Sequence, residues 1–141
     1  MRIDLQLRWS DQDQFGHINN AVYATLFEEA RARLFLEDKT GADLLNLGIV
    51  VIQQDISYLA PLYFTPAPVE CEISVTKIGN TSFTFHYQLF DRPTKEPKSA
   101  LVATGTSVMV AVDLDTKKPK RLSEPQIVWL RSHQELAGWG P

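Results

Sequence analysis

Polar and apolar residues alternate from Arg2 to Trp9, with Ile3, Leu5, Leu7 and Trp9 on one side and Arg2, Asp4, Gln6 and Arg8 on the other. A period of two is that of a half-buried strand. From about Ala21 to Asp38 the period lengthens. Tyr23, Leu26 or Phe27, Ala30 and Leu34 recur at helical spacing, and Glu28, Glu29, Arg31 and Arg33 fill the other side. Such a helix is about 27 Å long, close to the width of five strands at about 4.8 Å each, so it can form the whole second layer beneath one sheet. Gly41 reads as its stop, with a short helical turn from Ala42 to Leu47 ending near Gly48. Four further strand patterns follow, over Ile49–Leu59, Val69–Thr76, Ser82–Leu89 and Ser99–Asp113. Pro61, Pro66 and Pro68 interrupt after the first of these, and Gly79-Asn80 reads as a hairpin turn. Gly105 marks either a bulge or a close backbone approach. Ser123-Glu124-Pro125 predicts a helix start, and the helix runs to about Glu135. Strand, long helix, then four strands joined by hairpins is an α+β order, with an antiparallel sheet on one helix.

The chain has 141 residues, enough for one domain spanning 1–141. Its net charge of −3 argues against a general nucleic-acid partner. With no long apolar run there is no sign of a leader or a membrane partner, and the single cysteine, Cys71, suits a reducing compartment, so a cytoplasmic location is expected. There is no Gly-x-Ser-x-Gly elbow, phosphate loop or dinucleotide fingerprint.

Between the first strand and the helix lies a segment too polar for a core: Asp11, Asp13, Gly16, His17, Asn19 and Asn20. Either asparagine can cap the helix by accepting from a free N–H of the first turn. Gly16 suits a sharp turn with positive φ. The segment therefore brings a carboxylate, an imidazole and the positive end of a helix dipole to one small region. Such a set can hold a carbonyl oxygen or an anion and do acid–base work beside it. Asp, Asn and Gly are also ordinary turn and cap residues, and that reading stands beside the functional one.

The run Asp-x-Asp-x-x-Gly-His-Ile-Asn-Asn-x-x-Tyr from Asp11 to Tyr23, with Phe27-Glu28-Glu29-Ala30-Arg31 after it, resembles the signature of hotdog-fold acyl-CoA thioesterases. The branch it is most similar to is the 4-hydroxybenzoyl-CoA thioesterase-like one. The resemblance implies a hotdog fold, with a long central helix packed against a curved five-stranded antiparallel sheet. It implies hydrolysis of an acyl-CoA to a free acid and coenzyme A, with no metal and no redox cofactor. Asp13 matches the family's catalytic acid, as nucleophile or as general base; both remain open. Asp11 is expected to brace the loop. His17 either contacts the substrate carbonyl, orients a water or only braces the loop. The oxyanion donor of the family maps onto the backbone N–H of Asn20, with Asn19 and Gly16 beside it on the substrate. Tyr23 matches a motif tyrosine, and its helical spacing favours packing. Gln54 to Pro61 resembles the family's strand and proline turn, so Tyr58 and Pro61 are expected to line the acyl site across a dimer interface. Lys77, Arg92, Lys95 and Lys98 are either contacts for coenzyme A phosphates or solvated hairpin residues. The expected assembly is a homodimer or homotetramer, because one helix leaves a sheet face and an edge strand open. An acyl-ACP thioesterase and a non-catalytic acyl-CoA or lipophilic-ligand binding module are the alternatives.

Overall fold

The computed structural model describes residues 1–134. Its elements in chain order are β1 (Arg2–Leu5), α1 (Asn20–Phe35), α2 (Lys39–Leu47), β2 (Ile49–Tyr58), β3 (Val69–Ile78), β4 (Ser82–Phe90), β5 (Leu101–Ala111) and α3 (Glu124–Ser132). The five strands form one antiparallel sheet in the order β1-β3-β4-β5-β2. In the β1–β3 pair Arg2 lies opposite Glu72 and Leu5 opposite Val69. No helix among the described residues is long and apolar enough to cross a membrane.

Several boundaries differ from the pattern reading, each for a local reason. β1 ends at Leu5, opposite Val69 where its partner β3 begins, and a single 3-10 turn occupies Trp9–Asp11. Leu7 remains buried, but Trp9 is 76% exposed rather than core-facing. α1 is 16 residues long and stops short of Asp38. Its last turn tightens, with the Glu37 N–H on the Leu34 carbonyl, and Asp38 then caps α2 by accepting from the Gly41 N–H at 2.9 Å. Gly41 is therefore inside a helix and not a stop. Arg31 is buried rather than on the polar side, its guanidinium 3.4 Å from the Tyr87 hydroxyl and 3.6 Å from Glu28. β2 lies beside β5 at the sheet edge, so the proline-rich segment after it is a crossover to β3 and not a hairpin. Prolines suit that path because they lack the N–H a ladder needs. Three helices are present among the described residues, near the three places where the pattern gives helical segments, and the longest, α1, has 16 residues. α3 ends at Ser132, and the expected extension to Glu135 falls outside the described residues.

The chain divides into two compact units. The first comprises Met1–Arg31, Asp55–Ile73 and Tyr87–Gly105. Its core includes Ile3, Leu5, Ile18, Leu62, Val69 and Leu89, with Phe27 stacked on Tyr87 at 4.5 Å. Gly105 provides the close approach: an added Cβ would sit 2.6 Å from the Phe27 ring and 2.9 Å from the Asp55 carbonyl oxygen. Cys71 is buried here, and burial pushes its thiol up to about 12. A thiol held in that form is a packing group and not a nucleophile.

The second unit comprises Ala32–Gln54, Ser74–His86 and Thr106–Pro141, of which residues after 134 are not described. Phe35 anchors it, edge-on to Phe85 at 5.5 Å and stacked on Trp129 at 5.7 Å. The Trp129 indole N–H donates to the Asp38 carboxylate at 3.1 Å. Ser123 and Gln126 cap α3 reciprocally, with proline in the first turn.

Candidate active site

The polar segment between β1 and α1, all within the first unit, folds back on itself. The Gly16 N–H donates to the Asp13 carbonyl at 3.2 Å and closes a β-turn, and the Asp13 N–H donates to the His17 carbonyl at 2.7 Å. Aspartate is favoured at the first position of such a turn. Gly16 has φ of 81°, a left-handed conformation that glycine adopts without steric cost. The returning leg is fastened to the segment after β2. The Ile18 N–H donates to the Leu62 carbonyl at 2.7 Å, and His17 bridges to Tyr63.

The two aspartates are used differently. Asp11 is 3% exposed, and its carboxylate accepts from the Arg8 N–H at 2.8 Å and the Arg8 guanidinium at 2.9 Å. Its carbonyl accepts from the Asn19 N–H at 2.9 Å, so Asp11 ties the loop to the helix start. Asp13 is half-buried. Its Oδ1 accepts from the Phe15 N–H at 2.8 Å and the His17 N–H at 3.2 Å. Among the described residues nothing is bonded to its Oδ2. One oxygen thus holds the turn and the other is available to a ligand.

Asn19 caps α1. Its Oδ1 accepts from the Ala21 N–H at 2.9 Å, and its carbonyl accepts from the Val22 N–H at 2.9 Å. Asn20 is the first helical residue, and among the described residues nothing accepts from its N–H. That N–H carries part of the positive end of the helix dipole.

Asp13, His17, Asn19 and Asn20 open onto a cavity of about 600 Å³. Tyr23, Tyr58 and the segment Leu59–Leu62, including Pro61, complete its wall. The Tyr58 hydroxyl donates to the Asn20 carbonyl at 3.0 Å, and its ring stands edge-on to Tyr23 at 4.9 Å. Burial, with the nearby Tyr58, raises the Tyr23 phenol above its ordinary value against a backbone hydrogen bond from Leu62 that lowers it. The phenol is therefore neutral in this cavity at physiological pH. The His17 ring lies edge-on to Tyr63 at 4.9 Å.

Gly16 is placed elsewhere, in a smaller cleft of about 360 Å³ with Trp9 and Gln14; Asp13 borders both spaces. Arg92 lines a separate cavity of about 310 Å³ that shares Pro61 and Leu62, and it is paired with Asp91 at 3.3 Å. Among the described residues no cluster of three or more His, Cys, Asp or Glu side chains is placed to hold a metal ion. Leu59 and Ala60 lie in the Gln54–Pro61 stretch that the sequence offered for the acyl site, whereas Leu62 and Tyr63 join without having been singled out. No local signal marks them, because the pairing of His17 with Tyr63 links positions far apart in the chain.

A carboxylate oxygen, an imidazole and a free helix-start N–H around one partly apolar cavity make a set suited to acyl transfer: a nucleophile or base beside a donor for a carbonyl oxygen. The family model of the thioesterase-like superfamily matches residues 7–130. The uncharacterised protein YsmA of Bacillus subtilis (strain 168) is 29% identical over 114 residues, covering 81% of this chain and 74% of its own. A predicted thioesterase from Bacillus stearothermophilus superposes with a TM-score of 0.81 at 26% identity, over 97% of this chain and 98% of that one. A thioesterase complexed with coenzyme A and Zn from Thermus thermophilus superposes with a TM-score of 0.76 at 24% identity, over 94% of this chain and 92% of that one.

Proposed function

The chain belongs to the thioesterase-like superfamily and is a thioesterase, and from that premise we propose that it hydrolyses acyl-CoA thioesters with Asp13 as the acting carboxylate. The observation that supports this reading is the single cavity onto which Asp13, His17 and the N-terminus of α1 all open. The coenzyme A bound by the Thermus thermophilus thioesterase supports the carrier.

In this reading the thioester carbonyl sits between Asp13 and the Asn20 N–H. Asp13 Oδ2 attacks the carbonyl carbon and forms a mixed anhydride, or it takes a proton from a water that attacks. In either route negative charge develops on the carbonyl oxygen, and the Asn20 N–H at the helix start stabilises it. The carbon–sulfur bond then breaks, coenzyme A leaves as the thiolate and is protonated, and the acid is released. In the anhydride route a water first cleaves the anhydride. In this reading His17 orients the carbonyl or the water, Asn19 holds the helix start, and Tyr58 and Pro61 border the acyl group.

The family match runs through both compact units, which supports treating the chain as one catalytic domain of the hotdog type, with α1 as its central helix. The assembly proposed is a homodimer or homotetramer in the cytoplasm, with β2 as an edge that a second copy covers. Val50, Val51 and Ile52 are all more than two-fifths exposed on that edge strand, and an uncovered apolar edge is an aggregation hazard.

Asp13→Asn tests the assignment. It keeps the side-chain shape and an oxygen for the turn, so the protein should fold. Its kcat on acyl-CoA should fall by about 10²–10⁴-fold. Near-normal turnover by the folded variant would remove Asp13 from the mechanism. Parallel assays on acyl-ACP show which carrier is preferred.

A further inference from the structure

We propose that Tyr58 is a positioning residue for the oxyanion donor, acting through the first peptide group of α1. The inference rests on the reading of the Asn20 N–H as that donor.

The Tyr58 hydroxyl donates to the Asn20 carbonyl at 3.0 Å. That carbonyl has two lone pairs; the helix ladder uses one and the phenol takes the other. The same peptide group carries the Ala21 N–H, which donates to Asn19 Oδ1 at 2.9 Å. Tyr58 hydroxyl, Asn20 carbonyl, Ala21 N–H and Asn19 amide thus form a chain in which each hydrogen bond polarises the next. The chain has a direct consequence for geometry. It saturates the Asn20–Ala21 peptide and locks Asn19 as the cap, while the Asn20 N–H is left without an acceptor. The donor itself belongs to the Asn19–Asn20 peptide, whose carbonyl accepts from the Val22 N–H at 2.9 Å, and the peptide before that one is held by its Asn19 N–H on the Asp11 carbonyl at 2.9 Å. The donor is therefore fixed from both directions before any substrate arrives. Preorganisation of this kind is what makes an oxyanion donor effective.

Tyr58 is suited to the task by its place in the chain. It is the last residue of β2, directly before the segment whose Leu59 and Ala60 N–H groups donate to the Val102 carbonyl at 2.9 and 3.2 Å. The phenol is thus carried on a strand end bonded to the sheet. Its ring is braced edge-on by the buried Tyr23. Its hydroxyl is spent on the backbone, which separates it from a side chain that merely borders the acyl group.

The test is a double-mutant cycle on hydrolysis of an acyl-CoA series, with Tyr58→Phe, Asn20→Pro and the double variant. Tyr58→Phe retains the ring and its contact with Tyr23. It should lower kcat by about 3–10-fold, the worth of one hydrogen bond, and leave KM unchanged for every chain length. In the Asn20→Pro background, where the donor is gone, Tyr58→Phe should cause no further loss. By NMR the Ala21 amide proton should move upfield in Tyr58→Phe, reporting a weaker bond to Asn19 without reference to activity. An unchanged kcat, an equal loss in both backgrounds, an unmoved Ala21 amide, or a rise in KM that tracks chain length would each overturn the role of Tyr58 and leave the Asn20 assignment standing. Full activity of Asn20→Pro would instead overturn the oxyanion reading, and this proposal with it.

Discussion

Asp11 and Asp13 stand two positions apart and do opposite things because their surroundings differ. Asp11 is enclosed, and both its carboxylate oxygens are engaged by Arg8. Asp13 spends one oxygen on two backbone N–H groups and turns toward a cavity. The same distinction separates the side chain of Asn20 from its backbone. Only the N–H is proposed to act, and this leads to an unusual substitution test. Proline is tolerated at the first helical position but has no N–H. It also favours an extended preceding residue, which suits a cap. Asn20→Pro should therefore remain folded by circular dichroism yet lose about 10²–10³-fold in kcat. Asn20→Ala keeps the N–H and should stay close to the natural protein. Equal rates for the two folded variants would show that the Asn20 N–H is not the donor.

At the scale of elements, the decisive events are where helices begin and end. α1 begins where Asn19 can cap it, and α2 begins where Asp38 can. The second cap explains why Gly41 does not terminate anything. It lies buried, and an added Cβ would collide with the Phe35 carbonyl and come within 2.7 Å of the Trp129 ring. Two effects then oppose each other in Gly41→Ala. Helix propensity favours alanine by about 1 kcal/mol. Overpacking costs about 1–3 kcal/mol, and here one obstacle is backbone, which yields less readily than a side chain. The variant should melt several degrees below the natural protein while hydrolysing substrate at a similar rate. A higher melting temperature would show that the α2–α3 contact relaxes freely.

For the whole molecule, the position of β2 matters most. As an edge strand it exposes Val50, Val51 and Ile52, and the outer side of an edge strand offers its backbone to a pairing partner. A second copy that pairs with this edge would cover both. Light scattering of the purified chain should give the mass of a dimer or tetramer. Ile52→Lys places a charge on the edge and should shift that mass toward the monomer, with loss of hydrolysis if the assembled form is the active one. A natural chain that is fully active as a monomer would rule the assembly out.

Features that depend on residues a few positions apart were determined by the sequence. The alternation of Ile3, Leu5 and Leu7, the helical recurrence of Tyr23, Phe27, Ala30 and Leu34, the Ser123 cap and the Gly16 turn all appear where the pattern places them. Local sterics and the period of the backbone are sufficient to set each of these. The clustering of Asp13, His17 and the helix start was legible for the same reason, since all three lie on one short run of chain. Tertiary structure decided what one-dimensional pattern leaves degenerate. A period of two gives a strand its faces but not its neighbour, so only the fold put β2 beside β5 and made its proline segment a crossover. Alternation placed Trp9 inward, yet the chain had already left the sheet at Leu5 and left the indole exposed. Arg31 reads as a surface charge until the Tyr87 hydroxyl is brought to it from β4. The bond from Tyr58 to the Asn20 carbonyl joins residues 38 positions apart. Such a contact has no signature in sequence, because it exists only once the end of a strand and the start of a helix have been folded against each other.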